Sequence, residues 1–151
     1  MLKLLITRFL TILSHMFIRI PDRVPETRPP LLLFASKNAN LNGLDPQLAD
    51  KVISIVMNLQ RLGWKPVIAE AVRTKEQQAE KVKLGYSKTM NSKHIVGKAV
   101  DIIDRRYGWD GPASDLNYQF WVDLGKEVKK EGLTWGGDWK SFKDVAHVEI
   151  S

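Results

Sequence analysis

Two histidines and one aspartate are the residues of this sequence best suited to chemistry. The chain has three histidines and no cysteine, so a metal ion would have to be held by histidine and carboxylate side chains. His94 is followed by Asp101, and the small residues Gly97 and Ala99 between them let the chain turn tightly. A catalytic zinc usually has three protein ligands, and His147 is the remaining histidine outside the N-terminal segment. A histidine near an aspartate is more often a hydrogen-bonded pair, so spacing alone leaves both interpretations open.

Three short sequence blocks resemble those of a known enzyme family. The segment S-K-H-I-V-G-K-A-V-D fits the pattern S-x-H-x-x-G-x-A-x-D of the zinc D-Ala-D-Ala carboxypeptidase and L-alanyl-D-glutamate peptidase family (peptidase M15, VanY-like), with every fixed position present, from Ser92 to Asp101. A second block, from Trp135 to Glu149, is similar to the corresponding block in the branch of the family that contains phage endolysins. A third, from Val72 to Gln78, resembles the strand-to-helix turn of the family. The resemblance covers residues 40–151.

The resemblance implies a zinc site and a general base. His94, Asp101 and His147 would hold Zn²⁺, and Asp144, three residues before the last ligand, would be the acidic general base. Glu149 is a local competitor for the role of the base, because positions 147 and 149 of a strand point to the same face. The preference for Asp144 comes from the resemblance.

Arg73 and Ser92 are the implied substrate-binding residues. A guanidinium fork suits a peptide carboxylate or carbonyl near the cut, whereas the alternative role for Arg73 is a surface salt bridge with Glu70 or Glu76. Ser92 would donate to the substrate or orient His94, and its alternative role is that of a simple turn residue. The family has a glycine-like residue where this chain has Glu70, which leaves that wall of the cleft undefined.

The activity implied by the resemblance is zinc-dependent hydrolysis of the L-Ala–D-Glu bond in the peptidoglycan stem peptide, by a monomer acting at the cell wall in the periplasm or outside the cell. A D-Ala-D-Ala carboxypeptidase shares this chemistry, but the W-G-G-D-W block favours the endopeptidase. Trp135 and Trp139 in that block would line the cleft or pack in the core. A non-catalytic zinc-containing wall-binding module is an alternative of another class, and it would have no use for the acidic Asp144.

The charge distribution argues against a nucleic-acid partner. The net charge is +6, and residues 1–30 contribute +3 of it, from five basic and two acidic side chains. In the remainder, basic and acidic residues alternate, as in residues 126–131, which is typical of a solvated helix face rather than a nucleic-acid stripe. A basic surface is nevertheless drawn to other polyanions, including anionic lipid and wall polymers.

The first 30 residues of the chain divide into two segments before the catalytic domain. Residues 1–20 predict an amphipathic helix with a basic polar face, suited to an anionic membrane surface. Alternatives are a signal-like segment, a helix packed on its own domain, or translation that starts at Met16. Residues 21–30 hold four prolines and predict an extended linker. The peptidase domain is predicted to span residues 31–151.

The elements that must position the site predict an α+β domain. Apolar spacing and caps predict helices over residues 46–62, 75–84 and 118–131. Apolar β-prone runs predict strands over residues 64–72, 99–103, 134–139 and 147–150. This order favours a small, mostly antiparallel sheet flanked by helices, and the resemblance implies the hedgehog/DD-peptidase-like arrangement of them.

Overall fold

A computed structural model of the chain describes residues 41–151. The predicted helix over residues 1–20, the predicted linker over residues 21–30 and the predicted domain start at residue 31 lie outside the described residues, so they stay predictions. Within the described range, no helix is both long enough and apolar enough to span a bilayer.

The described residues form an α+β domain, as predicted. The helices are α1 (Pro46–Arg61), α2 (Lys75–Lys83) and α3 (Gln119–Lys130). The strands are β1 (Pro66–Glu70), β2 (Ala99–Asp104), β3 (Thr134–Trp135) and β4 (His147–Glu149). Three 3₁₀ turns cover Lys93–Val96, Gly111–Ser114 and Gly136–Asp138. All three helices begin and end within a residue or so of the predicted bounds.

The predicted strand over residues 134–139 is wrong beyond Trp135. The chain turns into a 3₁₀ helix at Gly136, and this turn is built on two consecutive glycines. A Cβ atom on Gly137 would collide with the indole ring of Trp135, and one on Gly136 would collide with the backbone of Asp144. Close packing of the backbone, rather than strand pairing, therefore determines the conformation of this segment.

The start of α1 follows from its sequence. The Asp45 carboxylate accepts hydrogen bonds from the backbone N–H groups of Gln47 (2.9 Å) and Leu48 (3.2 Å), and Pro46 occupies the first turn, where its missing N–H costs nothing. The buried face of the helix carries the apolar residues Leu48, Val52, Ile55, Val56 and Leu59. These side chains join the hydrophobic core, which fixes the orientation of α1.

The four strands form one antiparallel sheet in the order β1-β2-β4-β3. Alternate residues of the two central strands point to opposite faces. Val100, Ile102 and Val148 are fully buried and join the core with residues of α1 and α3. In the register of the sheet, Asp101 lies directly opposite His147, on the other face. The fold thus packs one face of the sheet and leaves the other for the site.

Candidate metal centre and active-site cleft

A short 3₁₀ turn presents His94 at the base of the cleft. The Ser92 hydroxyl accepts a hydrogen bond from the His94 backbone N–H (3.4 Å), and Gly97 closes the turn with a positive φ of 69°. A Cβ atom on Gly97 would collide with the carbonyl oxygen of Gly43, so only glycine fits here. The Gly97 carbonyl in turn accepts from the Asp45 N–H (2.8 Å), which ties the turn to the start of α1.

The segment after β1 fixes the ring of His94. The Ala71 carbonyl lies 2.7 Å from Nδ1 of His94, and the backbone N–H of Arg73 donates to the His94 carbonyl at 3.1 Å. Because a carbonyl can only accept, Nδ1 carries the proton and Nε2 is left with a free lone pair. A metal-ligating histidine usually has its second ring nitrogen held in this way.

Three ligand atoms form a nearly equilateral triangle. Nε2 of His94 lies 3.3 Å from Nδ1 of His147 and 3.3 Å from Oδ1 of Asp101, and the latter two atoms are 3.2 Å apart. Bond lengths of about 2.0–2.2 Å in a tetrahedral zinc site place ligand atoms about 3.3–3.5 Å from one another. The three donors therefore fit one face of a zinc tetrahedron, and the nitrogen and oxygen donor set suits that ion.

The ionisable side chains of the triangle shift one another's pKa values. Burial alone would raise the pKa of the Asp101 carboxyl, but the hydrogen bonds with His147 and His94 outweigh burial and hold that pKa well below its usual range. Burial would lower the pKa of His147, yet the neighbouring carboxylates of Asp101 and Glu149 raise it. A concentration of shifted pKa values in a cleft is typical of a functional site.

Asp144 lies half-buried beside the triangle, on the wall of the cleft. Its backbone N–H donates to the Gly136 carbonyl (3.1 Å), and its own carbonyl accepts from the His147 N–H (3.1 Å). Gly136 permits this approach because any side chain there would meet the Asp144 carbonyl. Burial raises the pKa of the Asp144 carboxyl, and the nearby charge of Asp101 raises it further.

Glu149 contacts the far side of the His147 ring. Its Oε2 atom lies 3.2 Å from Nε2 of His147, the nitrogen that points away from the triangle. Its Oε1 atom forms an ion pair with Nζ of Lys93 (3.1 Å). The prediction that positions 147 and 149 share a face is confirmed, and the Glu149 carboxylate is already engaged by both partners.

Arg73 is buried on another wall of the cleft, with only 6% of its surface exposed. Its Nε and Nη2 atoms donate to the two carboxylate oxygens of Glu70 (2.7 and 2.6 Å), and Nη1 donates to the side-chain carbonyl of Gln78. Glu70 also pairs with Lys81 at 2.7 Å. Three of the five guanidinium N–H groups are thus used by the side chains of Glu70 and Gln78.

The cleft has a volume of about 830 Å³ and an aromatic rim. Trp139 lines it, with its ring 5.0 Å from that of His147, whereas Trp135 packs against Gly125 and Gly137 and donates to the Val145 carbonyl at 2.8 Å. Three exposed aromatic residues from separate loops also line the cleft: Tyr86, Trp109 and Phe142. No sequence pattern predicted this rim, since each of its residues is isolated in its own polar loop.

Comparison with known proteins agrees with this geometry. Residues 85–150 match a peptidase M15 family described as D-alanyl-D-alanine carboxypeptidase. The chain is 30% identical over 127 residues to the peptidoglycan L-alanyl-D-glutamate endopeptidase CwlK of Bacillus subtilis, covering 74% of each chain. It is 38% identical over 92 residues to the L-alanyl-D-glutamate peptidase of Listeria phage A118, covering 59% of this chain but spanning only 31% of the phage protein.

A solved structure supports the same relationship. The fold is similar to that of the L-Ala D-Glu endopeptidase ChiX of Serratia marcescens, with a TM-score of 0.56 and 29% sequence identity over 74% of this chain and 84% of that one. The relatives, the shared fold and the His-Asp-His triangle all support one assignment. This chain therefore belongs to the peptidase M15 family of metallopeptidases.

Proposed function

We propose that this protein is a zinc-dependent peptidoglycan hydrolase that cleaves the L-Ala–D-Glu bond of the stem peptide. The observation that carries the proposal is the triangle of His94, Asp101 and His147, with edges of 3.2–3.3 Å, beside Asp144 in an open cleft. The bond assignment is supported by the names of the Bacillus, Listeria phage and Serratia proteins that the chain resembles.

In this proposal Nε2 of His94, Nδ1 of His147 and Oδ1 of Asp101 would hold Zn²⁺. When bound, the ion would supply Lewis-acid polarisation of the scissile carbonyl and would make the attacking water more acidic. Only three protein groups make up the triangle, which matches the usual ligand number of catalytic rather than structural zinc sites.

Asp144 is the proposed general base. Its carboxylate would take a proton from the attacking water and later deliver that proton to the amine of the leaving residue. A raised pKa suits this role, because it makes the carboxylate a better acceptor of the proton from water, and the carboxyl formed is still acidic enough to give that proton to the leaving amine. Glu149 is less suited to this role, because its two carboxylate oxygens already contact His147 and Lys93.

Arg73 and Ser92 are the proposed substrate contacts. Glu70 already balances the charge of Arg73, so we expect Arg73 to act through its two remaining, directed N–H donors on a substrate carbonyl or carboxylate oxygen. The hydroxyl of Ser92 lines the cleft and accepts from the His94 N–H, so its own proton can point to the substrate. The rim residues Tyr86, Trp109 and Phe142 would add apolar contacts.

Digestion of purified peptidoglycan, followed by mass spectrometry of the released ends, tests the proposal. We expect new N-terminal D-Glu on the stem peptide with the wild-type protein, and far less in the same time with the Asp144→Asn variant. A D-Ala-D-Ala carboxypeptidase is the second candidate, favoured by the description of the matched family, and it would release free D-Ala instead. Wall binding without any new ends would support a non-catalytic module and would overturn the proposal.

We further propose that the protein acts as a monomer at the bacterial cell wall, with residues 1–20 docking on anionic membrane. The positive charge of the chain supports attraction to anionic surfaces, and we propose no nucleic-acid partner. Deletion of residues 1–25 should weaken binding to vesicles that contain anionic lipid, measured by co-sedimentation. Unchanged binding after the deletion would remove the membrane part of the proposal.

A further inference from the structure

We infer that Glu149 is a positioning residue that makes Nδ1, rather than Nε2, the metal-facing nitrogen of His147. The inference rests on the zinc site of the proposed function, but it does not depend on which peptide bond is cut. It assigns Glu149 a role distinct from that of the general base.

The two histidines of the triangle offer opposite ring nitrogens. His94 presents Nε2 and has its Nδ1 held by the backbone carbonyl of Ala71 at 2.7 Å. His147 presents Nδ1 and has its Nε2 held by the carboxylate of Glu149 at 3.2 Å. In each case an acceptor keeps the proton on the outer nitrogen, so the inner nitrogen is left with a lone pair for the ion.

The two acceptors differ in two respects, their place in the chain and their charge. The acceptor for His94 is a backbone carbonyl, which no side-chain substitution at Ala71 removes. The acceptor for His147 is a side chain, and it is also charged. A carboxylate behind an imidazole raises the basicity of the ligand nitrogen as well as fixing the ring, so the sequence at position 149 sets the affinity of the site for its ion.

Glu149 is itself held in place. Its side chain is 17% exposed, and Nζ of Lys93 bonds to its Oε1 atom (3.1 Å) and to the Ile150 carbonyl (2.8 Å). Ala99 lies opposite Glu149 in the register of β2 and β4 and carries only a methyl group on that face. Lys93 precedes His94 in the chain, so this ion pair links the segments that carry the two histidines.

Zinc affinity of the full-length protein, measured by competition with a chromophoric chelator in the absence of peptidoglycan, tests the inference. We expect Glu149→Ala to raise the dissociation constant about 10–100-fold and Glu149→Gln, which keeps an acceptor without the charge, to raise it less. Glu80→Ala is the matched control, because Glu80 forms an exposed ion pair with Lys83 (3.7 Å) away from the cleft. Equal affinities for Glu149→Ala and the control would overturn the inference.

Nitrogen-15 spectra of the histidine rings in the zinc-loaded protein give an independent readout that a purely structural ion pair would not move. We expect a proton on Nδ1 of His94 and on Nε2 of His147 in the wild type. Coordination of His147 through Nε2 would overturn the inference even if the zinc affinity fell. Failure of the proposed bond specificity would appear instead in the peptidoglycan digest, while the zinc measurements stayed as expected.

Discussion

The two faces of strands β2 and β4 carry opposite kinds of residue. On one face Val100, Ile102 and Val148 are fully buried in the hydrophobic core, while on the other Asp101 and His147 meet across the sheet beside the cleft. Val100, Ile102 and Val148 are apolar and pack together with other apolar side chains of the core. Asp101 and His147 are polar, and each depends on a few defined contacts.

This difference separates stability from chemistry within two short strands. The free energy gained by burying an apolar side chain is roughly proportional to the area buried, and it changes little when the side chain shifts slightly. A metal ligand, in contrast, must lie within a few tenths of an ångström of its place. Substitutions on the two faces should therefore produce different, separable defects.

The largest effect is expected from removing a metal ligand. His94→Ala leaves two of the three donors of the triangle, so the variant should retain no zinc and its hydrolytic activity should fall below detection. Zinc content after gel filtration, circular dichroism and peptidoglycan digestion measure the outcome. Activity in a folded, zinc-free variant would contradict the metal mechanism and the division between the two faces.

A smaller but still severe effect is expected at the general base. Asp144→Asn should lower the rate about 10²–10⁴-fold because the amide cannot accept a proton, while zinc content stays that of the wild type. Asp138→Asn is the control, because Asp138 lies in the same region as an exposed partner of Lys129 (3.2 Å). If Glu149 were the base, Asp144→Asn would keep nearly full activity.

The core face should show the reverse pattern. Ile102→Ala removes a fully buried side chain next to Asp101 and should lower the free energy of unfolding by about 2–5 kcal/mol. The turnover number of the folded fraction should be unchanged, because Ile102 points away from the cleft. Urea unfolding and activity normalised to folded protein measure the two quantities, and a large loss of turnover would show that the faces are coupled.

The aromatic rim should have a modest effect on substrate use. Trp109→Ala should lower kcat/KM roughly three- to tenfold, or about 0.6–1.4 kcal/mol, through the loss of apolar contact with the substrate. Leu116→Ala is a suitable control, since Leu116 is 50% exposed in the same loop but does not line the cleft. Equal losses in both variants would mean that the rim makes no substrate contact.

The smallest expected effect concerns Glu70 and the way in which the free energy of unfolding depends on acidic pH. Burial alone would raise the pKa of Glu70, but hydrogen bonds from Arg73 and Lys81 outweigh it and lower that pKa below its ordinary 4.5. The stabilisation from this pairing is fully present above pH 4.5 and is lost as the pH falls through the lower folded-state value.

Glu70→Gln should therefore make the free energy of unfolding fall less steeply with decreasing pH below 4.5. The expected change is under about 1 kcal/mol, because the pair is partly solvated. Urea unfolding at several pH values measures it. Identical slopes for the variant and the wild type would show that Glu70 is not ionised more readily in the folded protein.

The sequence predicted the elements and the members of the site better than their arrangement. Helices were predictable because caps such as Asp45 and apolar spacing are local. The ligand motif was likewise local around His94. The register that sets Asp101 opposite His147 depends instead on pairing between distant strands, which no short pattern encodes.

Other features of the site also depend on contacts between distant segments. The resemblance named Arg73, but not its burial against Glu70 and Gln78. It left open whether Trp135 or Trp139 lines the cleft, and the glycine packing around Trp135 decided that point. Loop side chains such as Phe142 acquire a common location only when the loops that carry them are folded.

The triangle also has a mechanical consequence for the chain. Its donors come from segments 46 residues apart, so an ion bound there would join β2 to β4 as a cross-link does. The chain has no cysteine and hence no disulfide to serve that purpose. Uptake of the ion would then do more than enable hydrolysis: it would stabilise the folded state and so slow the unfolding that exposes the chain to proteolysis.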